Sequence, residues 1–302
     1  MTQTIYRGGM AKPRRWLEWN VEQASDWIRV PGPADDKYTH GVLGMLTGSK
    51  DYPGAAVLGA EAAARTGVGM VRYLGPRRAT DLVLQRRPEV VTVAGRVQAW
   101  LLGSGTSADT RSEGATSALD AALAEGLPTV CDAGALDRVA VGTDSVRPIV
   151  ITPHYRELAA LLTGRGEGAE TVTAEQIGDD PGEWAARAAR SLGVTVLLKG
   201  SVTCIAAPSG VRLTVSHASA WLATAGSGDV LGGILGALLA TNAGRIAADA
   251  DALPALAATA ALVHAHAAEL ASAGGPLAAL DVAEAIPTVI RAVLAVPSEC
   301  RH

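Results

Sequence analysis

Residues 223–233 read Ala-Thr-Ala-Gly226-Ser227-Gly228-Asp229-Val-Leu-Gly-Gly, and an apolar run continues to Ala240. Gly226 and Gly228 let the backbone turn sharply, so that several N–H groups can converge on one anion. The apolar run predicts a buried helix over Gly228–Ala240, whose positive end faces the same place. Asp229 falls in the first turn, where a carboxylate is stabilised and can take a proton from a hydroxyl. Gly232 and Gly233 allow this helix to approach a sheet closely. Alone, Gly-Ser-Gly-Asp is also an ordinary turn with a helix start, so the reading depends on the segments around it.

Those segments alternate. Strands are expected at Gly41–Leu46, Gly69–Leu74, Trp100–Leu102, Pro128–Cys131, Ile149–Ile151 and Val194–Leu198. Helices are expected at Ala55–Arg65, Ser112–Glu125, Arg156–Leu162, Glu183–Leu192, Ala255–Ala271 and Val282–Leu294, with Gly67 closing the first. Val202–Ala206 and Val211–Val215 flank Pro208-Ser209-Gly210 and read as a hairpin. Recurring strand-loop-helix units specify an α/β fold, a mostly parallel central sheet with helices on both faces. In such sheets ligands lie at the carboxyl ends of strands. Residues 1–36 are polar and proline-bearing and read as an N-terminal arm with one short helix near Trp16–Ile28. Residues 37–302 read as a single domain, because no flexible linker interrupts them.

Composition removes several function classes. The 302 residues are 48% hydrophobic and 19% charged, which supports a large core. Lys and Arg number 26 against 30 Asp and Glu, so no basic excess exists to hold nucleic acid. Three widely spaced cysteines, Cys131, Cys204 and Cys300, form no disulfide or zinc pattern and suit a reducing cytoplasm. The N-terminus has no signal-peptide pattern. The most apolar stretches are too short or carry charge, so they read as core helices with no membrane role.

Five blocks in order carry a resemblance. They are Lys37…Gly41–Ser49…Pro53-Gly54-Ala55-Ala56; Leu102-Gly103-Ser104-Gly105; Cys131-Asp132-Ala133-Gly134-Ala135-Leu136; Ile151-Thr152-Pro153-His154-Tyr155-Arg156-Glu157; and Leu198–Thr203 followed by Ala225–Leu231. Together, over roughly residues 37–290, the sequence resembles the ribokinase-like ADP/ATP-dependent NAD(P)H-hydrate dehydratases. The resemblance implies a hydro-lyase that repairs hydrated nicotinamide cofactors. ADP (or ATP) with Mg²⁺ phosphorylates the ring hydroxyl of the S-form of the hydrate, and loss of phosphate restores NADH or NADPH. It also implies a homo-oligomer, a tetramer being favoured; the epimerase domain fused in some relatives is not expected, because 302 residues leave no room for it.

The resemblance distributes the roles. Gly54, Ala55, Ala56, Gly103, Gly105 and His154 would contact the hydrate, and Asp229 would be the catalytic base. Lys199, Gly200, Ser201, Val202, Thr203, Ala225, Gly226, Ser227 and Gly228 would hold the nucleotide, with Gly200 keeping a side chain out of its way. Glu157 would organise Mg²⁺ through water, or else serve as a capping carboxylate. Asp132 would help hold Mg²⁺ or cap the next helix. His264 and His266 lie two apart on one predicted helix, cannot form a metal pair, and read as packing or surface residues. The sequence departs from the family at Ser104 and Thr106, where Gly-Pro-Gly-Leu is usual. Two other readings fit the same fold: a kinase for a vitamin precursor such as hydroxymethylpyrimidine or hydroxyethylthiazole, and a nucleotide-binding sensor without catalysis.

Overall fold

The computed structural model describes residues 15–139, 147–163, 171–216 and 219–296. His217 and the tail from Pro297, with Cys300, lie outside them. The strands are Leu17–Glu18 (β1), Val42–Leu46 (β2), Met70–Tyr73 (β3), Ala99–Leu102 (β4), Thr129–Cys131 (β5), Ile149–Ile151 (β6), Thr195–Leu198 (β7), Val202–Ala206 (β8) and Arg212–Ser216 (β9). The helices are Val21–Ser25 (α1), Lys37–His40 (α2), Gly54–Thr66 (α3), Arg77–Arg86 (α4), Glu113–Ala124 (α5), Tyr155–Leu162 (α6), Ala174–Asp179 (α7), Pro181–Leu192 (α8), Ser227–Thr241 (α9), Ala243–Ala248 (α10), Ala252–Ser272 (α11) and Ala279–Ala295 (α12).

All nine strands join one sheet in the order β1-β9-β8-β7-β6-β5-β4-β2-β3. From β7 to β3 every pairing is parallel, and β8 alone runs against its neighbours. Side chains alternate across it as a two-faced sheet requires. On β4, Leu101 enters the core under α3, α9, α11 and α12, while Trp100 and Leu102 enter the core under α5, α6 and α8. This is the mostly parallel, doubly covered α/β sheet expected from the strand-helix alternation.

The edges differ from the sequence reading. Residues 17–28 are not an arm: β1 pairs in parallel with β9, Ala24 and Ile28 are buried, and Trp19 Nε1 donates to Thr259 Oγ1 at 3.2 Å. Asn20, with Gln23 at the third helical position, forms a capping box that fixes α1 against this edge. Helix α4 begins where Gly75-Pro76 suggested only a break. α11 is long and apolar enough to cross a bilayer, but it is largely buried between α9, α12 and the sheet. Gly232 does face the sheet, at Leu101, whereas Gly233 faces α3, where a methyl would overlap the Gly59 carbonyl.

Candidate active site

The carboxyl ends of β4, β5, β6 and β7 bring together residues far apart in sequence. After β4 come Gly103-Ser104-Gly105, after β5 Asp132, after β6 Thr152 and His154, and after β7 Lys199. The N-terminus of α9 lies over them. Gly226 caps α9 in the left-handed region, with φ 89°, a conformation that glycine adopts without strain. The Ser227 N–H turns back to the Thr224 carbonyl at 3.5 Å, and the next amide of α9 to donate back is that of Val230, to the Gly226 carbonyl at 3.2 Å. The amides of Gly228 and Asp229 therefore point off the helix end.

Lys199 is the cation of this centre. Its Nζ donates to Asp132 Oδ1 at 3.0 Å and lies 4.0 Å from Glu157 Oε2. It also lies 3.5 Å from where a Cβ on Gly228 would be. Burial works against its charge, but Asp132, Glu157 and Asp229 outweigh it and hold the ammonium protonated above its ordinary range. Asp229 shows the reverse balance. Burial and the nearby Asp132 charge push its carboxyl up to about 7, and Lys199 offsets only part of this. A carboxyl poised there suits a general base working near neutrality.

His154 is the N-cap of α6. Its Nδ1 accepts from the Glu157 N–H at 3.2 Å, and its own N–H donates to Glu157 Oε2 at 2.8 Å. Glu157 is thus the capping-box carboxylate, and the same Oε2 that accepts the His154 N–H lies 4.0 Å from Lys199 Nζ. Asp132 caps nothing: its carboxylate accepts from Ser104 Oγ at 3.0 Å, Thr152 Oγ1 at 2.8 Å and Lys199. Among the described residues no group of three or more His, Cys, Asp or Glu is arranged to hold a metal. The site nevertheless carries three carboxylates against one lysine. That donor set fits a Mg²⁺ that arrives with nucleotide phosphates and needs only one or two carboxylates.

Two cavities flank the centre. One, of about 480 Å³, is bounded by Lys199, Gly200, Ser201 and Thr203 on the β7–β8 side and by Ser227, Gly228 and Leu231 of α9. Its outer wall is the short turn Ala220–Leu222, and its floor includes His264. Val202 is exposed beside it, and Ala225 and Gly226 lead into its helix. The other cavity, of about 530 Å³, lies between Thr47–Asp51, Gly75-Pro76 and the start of α5. Gly48 and Thr106 border it. Ala55, in the first turn of α3, packs against Gly105, where any side chain would overlap it.

The space above Gly200 is taken by the Tyr155 hydroxyl, which a methyl on Gly200 would overlap, so this glycine makes room for Tyr155. His264 is buried, the packing alternative of the sequence reading, and it also lines the cleft floor. The Ala220–Leu222 wall carries small and apolar side chains with no motif to announce them.

A family model for NAD(P)H-hydrate dehydratase matches residues 43–288. The bifunctional NAD(P)H-hydrate repair enzyme of Mycobacterium tuberculosis is 45% identical over 232 residues, covering 74% of this chain and 45% of that protein. The chain spans about half the length of the curated relatives it matches most strongly. The ADP-dependent (S)-NAD(P)H-hydrate dehydratase of Neisseria meningitidis is 33% identical over 221 residues, covering 68% of this chain and 71% of that one. Among solved structures, the ADP/ATP-dependent NAD(P)H-hydrate dehydratase of Bacillus subtilis, co-crystallized with ATP/Mg²⁺, superposes with a TM-score of 0.77. It is 25% identical and covers 92% of this chain and 99% of the other.

Proposed function

The chain belongs to the NAD(P)H-hydrate dehydratase family, and on that premise we propose that it dehydrates the S-form of NAD(P)H hydrate back to NAD(P)H, with ADP or ATP as phosphoryl donor. The observation that carries the reading is Asp229, a carboxyl held near 7 in the first turn of a helix whose free amides face the same point.

The nucleotide would occupy the cleft walled by Lys199–Thr203 and the start of α9, with its transferable phosphate against the Gly228 and Asp229 amides. The hydrate would enter from the Gly48–Ala56 and Gly103–Gly105 side, with His154 at the rim. Asp229 takes the proton of the ring hydroxyl as its oxygen attacks phosphorus and the nucleotide leaves. Lys199 and the helix amides stabilise the negative charge spread over the transferring group. Phosphate then departs with its bonding electron pair, and the neighbouring carbon loses a proton to form the ring double bond. Mg²⁺, held by the nucleotide phosphates and by Glu157 through water, would supply further neutralisation. A cytoplasmic setting agrees with two buried free thiols, Cys131 and Cys204. A homotetramer is the assembly the family resemblance suggests, and sedimentation measures it.

The test is an absorbance trace of reduced nicotinamide from chemically prepared NADH hydrate, with Mg²⁺ and either ADP or ATP. Nucleotide-dependent recovery is expected, and the donor that works is thereby identified. Folded protein that forms a stable phosphorylated product, or shows no recovery with either donor, overturns the reading.

A further inference from the structure

Asp132 is only 4% exposed, yet its carboxylate is the meeting point of three loops. Its oxygens accept from Ser104 after β4, Thr152 after β6 and Lys199 after β7, so one side chain ties four adjacent strand ends together. A buried carboxylate is costly unless its lone pairs are filled and its charge is met, and here both conditions hold.

The chain of contacts does not end at these donors. The Ser104 carbonyl accepts the Gly48 N–H at 2.7 Å, and Gly48 borders the 530 Å³ cavity. At the other end, Lys199 forms part of the 480 Å³ cleft and faces Gly228. Gly48, Ser104, Asp132 and Lys199 thus form a continuous hydrogen-bonded path from one cavity to the other. Proline at 104 has neither a hydroxyl nor any other group to close the middle link.

We propose that Asp132 and Ser104 are positioning residues that set the Lys199 ammonium for nucleotide and couple it to the loop bordering the second cavity. The inference rests on the nucleotide-cleft assignment made above. Ser104 is not among the residues lining the 480 Å³ cleft, and its hydrogen-bonded route to Lys199 runs through Asp132.

The experiment is a double-mutant cycle on the full chain, with Ser104→Ala, Asp132→Asn and the pair, reading Kd for ADP and ATP by calorimetry alongside the melting temperature. Asp132→Asn is expected to weaken nucleotide binding by about tenfold or more, because a charge-assisted bond to Lys199 is lost. Ser104→Ala, a milder change that leaves the fold intact, is expected to weaken it by about threefold, and the pair to bind as Asp132→Asn alone does. Kd values within twofold of wild type in Ser104→Ala, or fully additive effects in the pair, overturn the coupling even where melting temperatures fall. Wild-type protein that binds neither nucleotide overturns this inference together with the cleft assignment. Wild-type binding left unchanged by Asp132→Asn overturns the inference alone.

Discussion

Glu61 and Asp229 are carboxylates on two helices, α3 and α9, that pack against each other, and their surroundings are opposite. The Glu61 side chain is fully buried, yet it accepts from Arg65 at 2.6 Å, from Arg86 at 3.1 Å and from Arg87 at 2.7 Å. Burial pushes its carboxyl up, but bonds from Arg87, Arg86 and Arg65 outweigh it and hold the group at about 2. Asp229 has a share of one lysine that is already bonded to Asp132, and it stands near 7. Three cations on one carboxylate build a joint between α3, α4 and, through the Arg86–Glu284 pair, α12. Three carboxylates around one cation leave negative charge unmatched at a helix N-terminus, the arrangement on which the proposed chemistry rests. Partner count separates the two carboxyls, since Glu61 is the more buried of the pair and yet the one held ionised.

The sharpest way to break that contrast is Asp229→Asn. Turnover is expected to fall by about 10³-fold, the scale of a lost general base, while the melting temperature holds or rises because a carboxylate disfavoured by burial and by Asp132 is gone. Near-normal turnover would remove Asp229 from the chemistry. Glu61→Ala should do the opposite. It is expected to cost about 3 kcal/mol of stability, since three guanidiniums lose a buried partner, and to leave kcat of the folded protein unchanged. Denaturant melts and steady-state assays on one preparation read both quantities.

A third measurement follows from proton affinity. If Asp229 must be ionised to act, kcat/KM falls about tenfold per pH unit below its pKa of about 7. The two carboxyls also pull stability in opposite directions. Asp229 is raised, so its ionisation costs the native state stability as pH climbs from the ordinary aspartate range toward 7. Glu61 is lowered, so its contribution is full above the ordinary glutamate range and is lost as pH falls toward 2. A flat rate profile between pH 5 and 8 would detach Asp229 from the proton transfer.

Local rules made the sheet and its major helices legible. Gly67 ends α3 at φ 95° and Ser112 caps α5, each at the position its residue type suggests. α4 escaped because it is rich in arginine and buries only Ala79 and Val83, so no apolar stripe announced it. β1 escaped because two residues show no period. Within the site, the strand-end residues were readable one loop at a time. The bonds that Asp132 receives from positions 104, 152 and 199 were not, since nothing in the spacing of those residues records that their strands lie side by side. The same holds for Gly200, whose neighbour Tyr155 comes from another strand end.

The parallel pairing of β1 with β9 has a consequence for how the chain is made. Leu17 meets Leu213, and Trp19 bonds to Thr259, a residue 240 positions later. At a synthesis rate of ~5–20 residues per second, the first strand emerges on the order of tens of seconds before its partners exist. The β1–β9 edge of the sheet is therefore finished after the rest of it, and the ribosome's pace sets the earliest moment at which that edge can form.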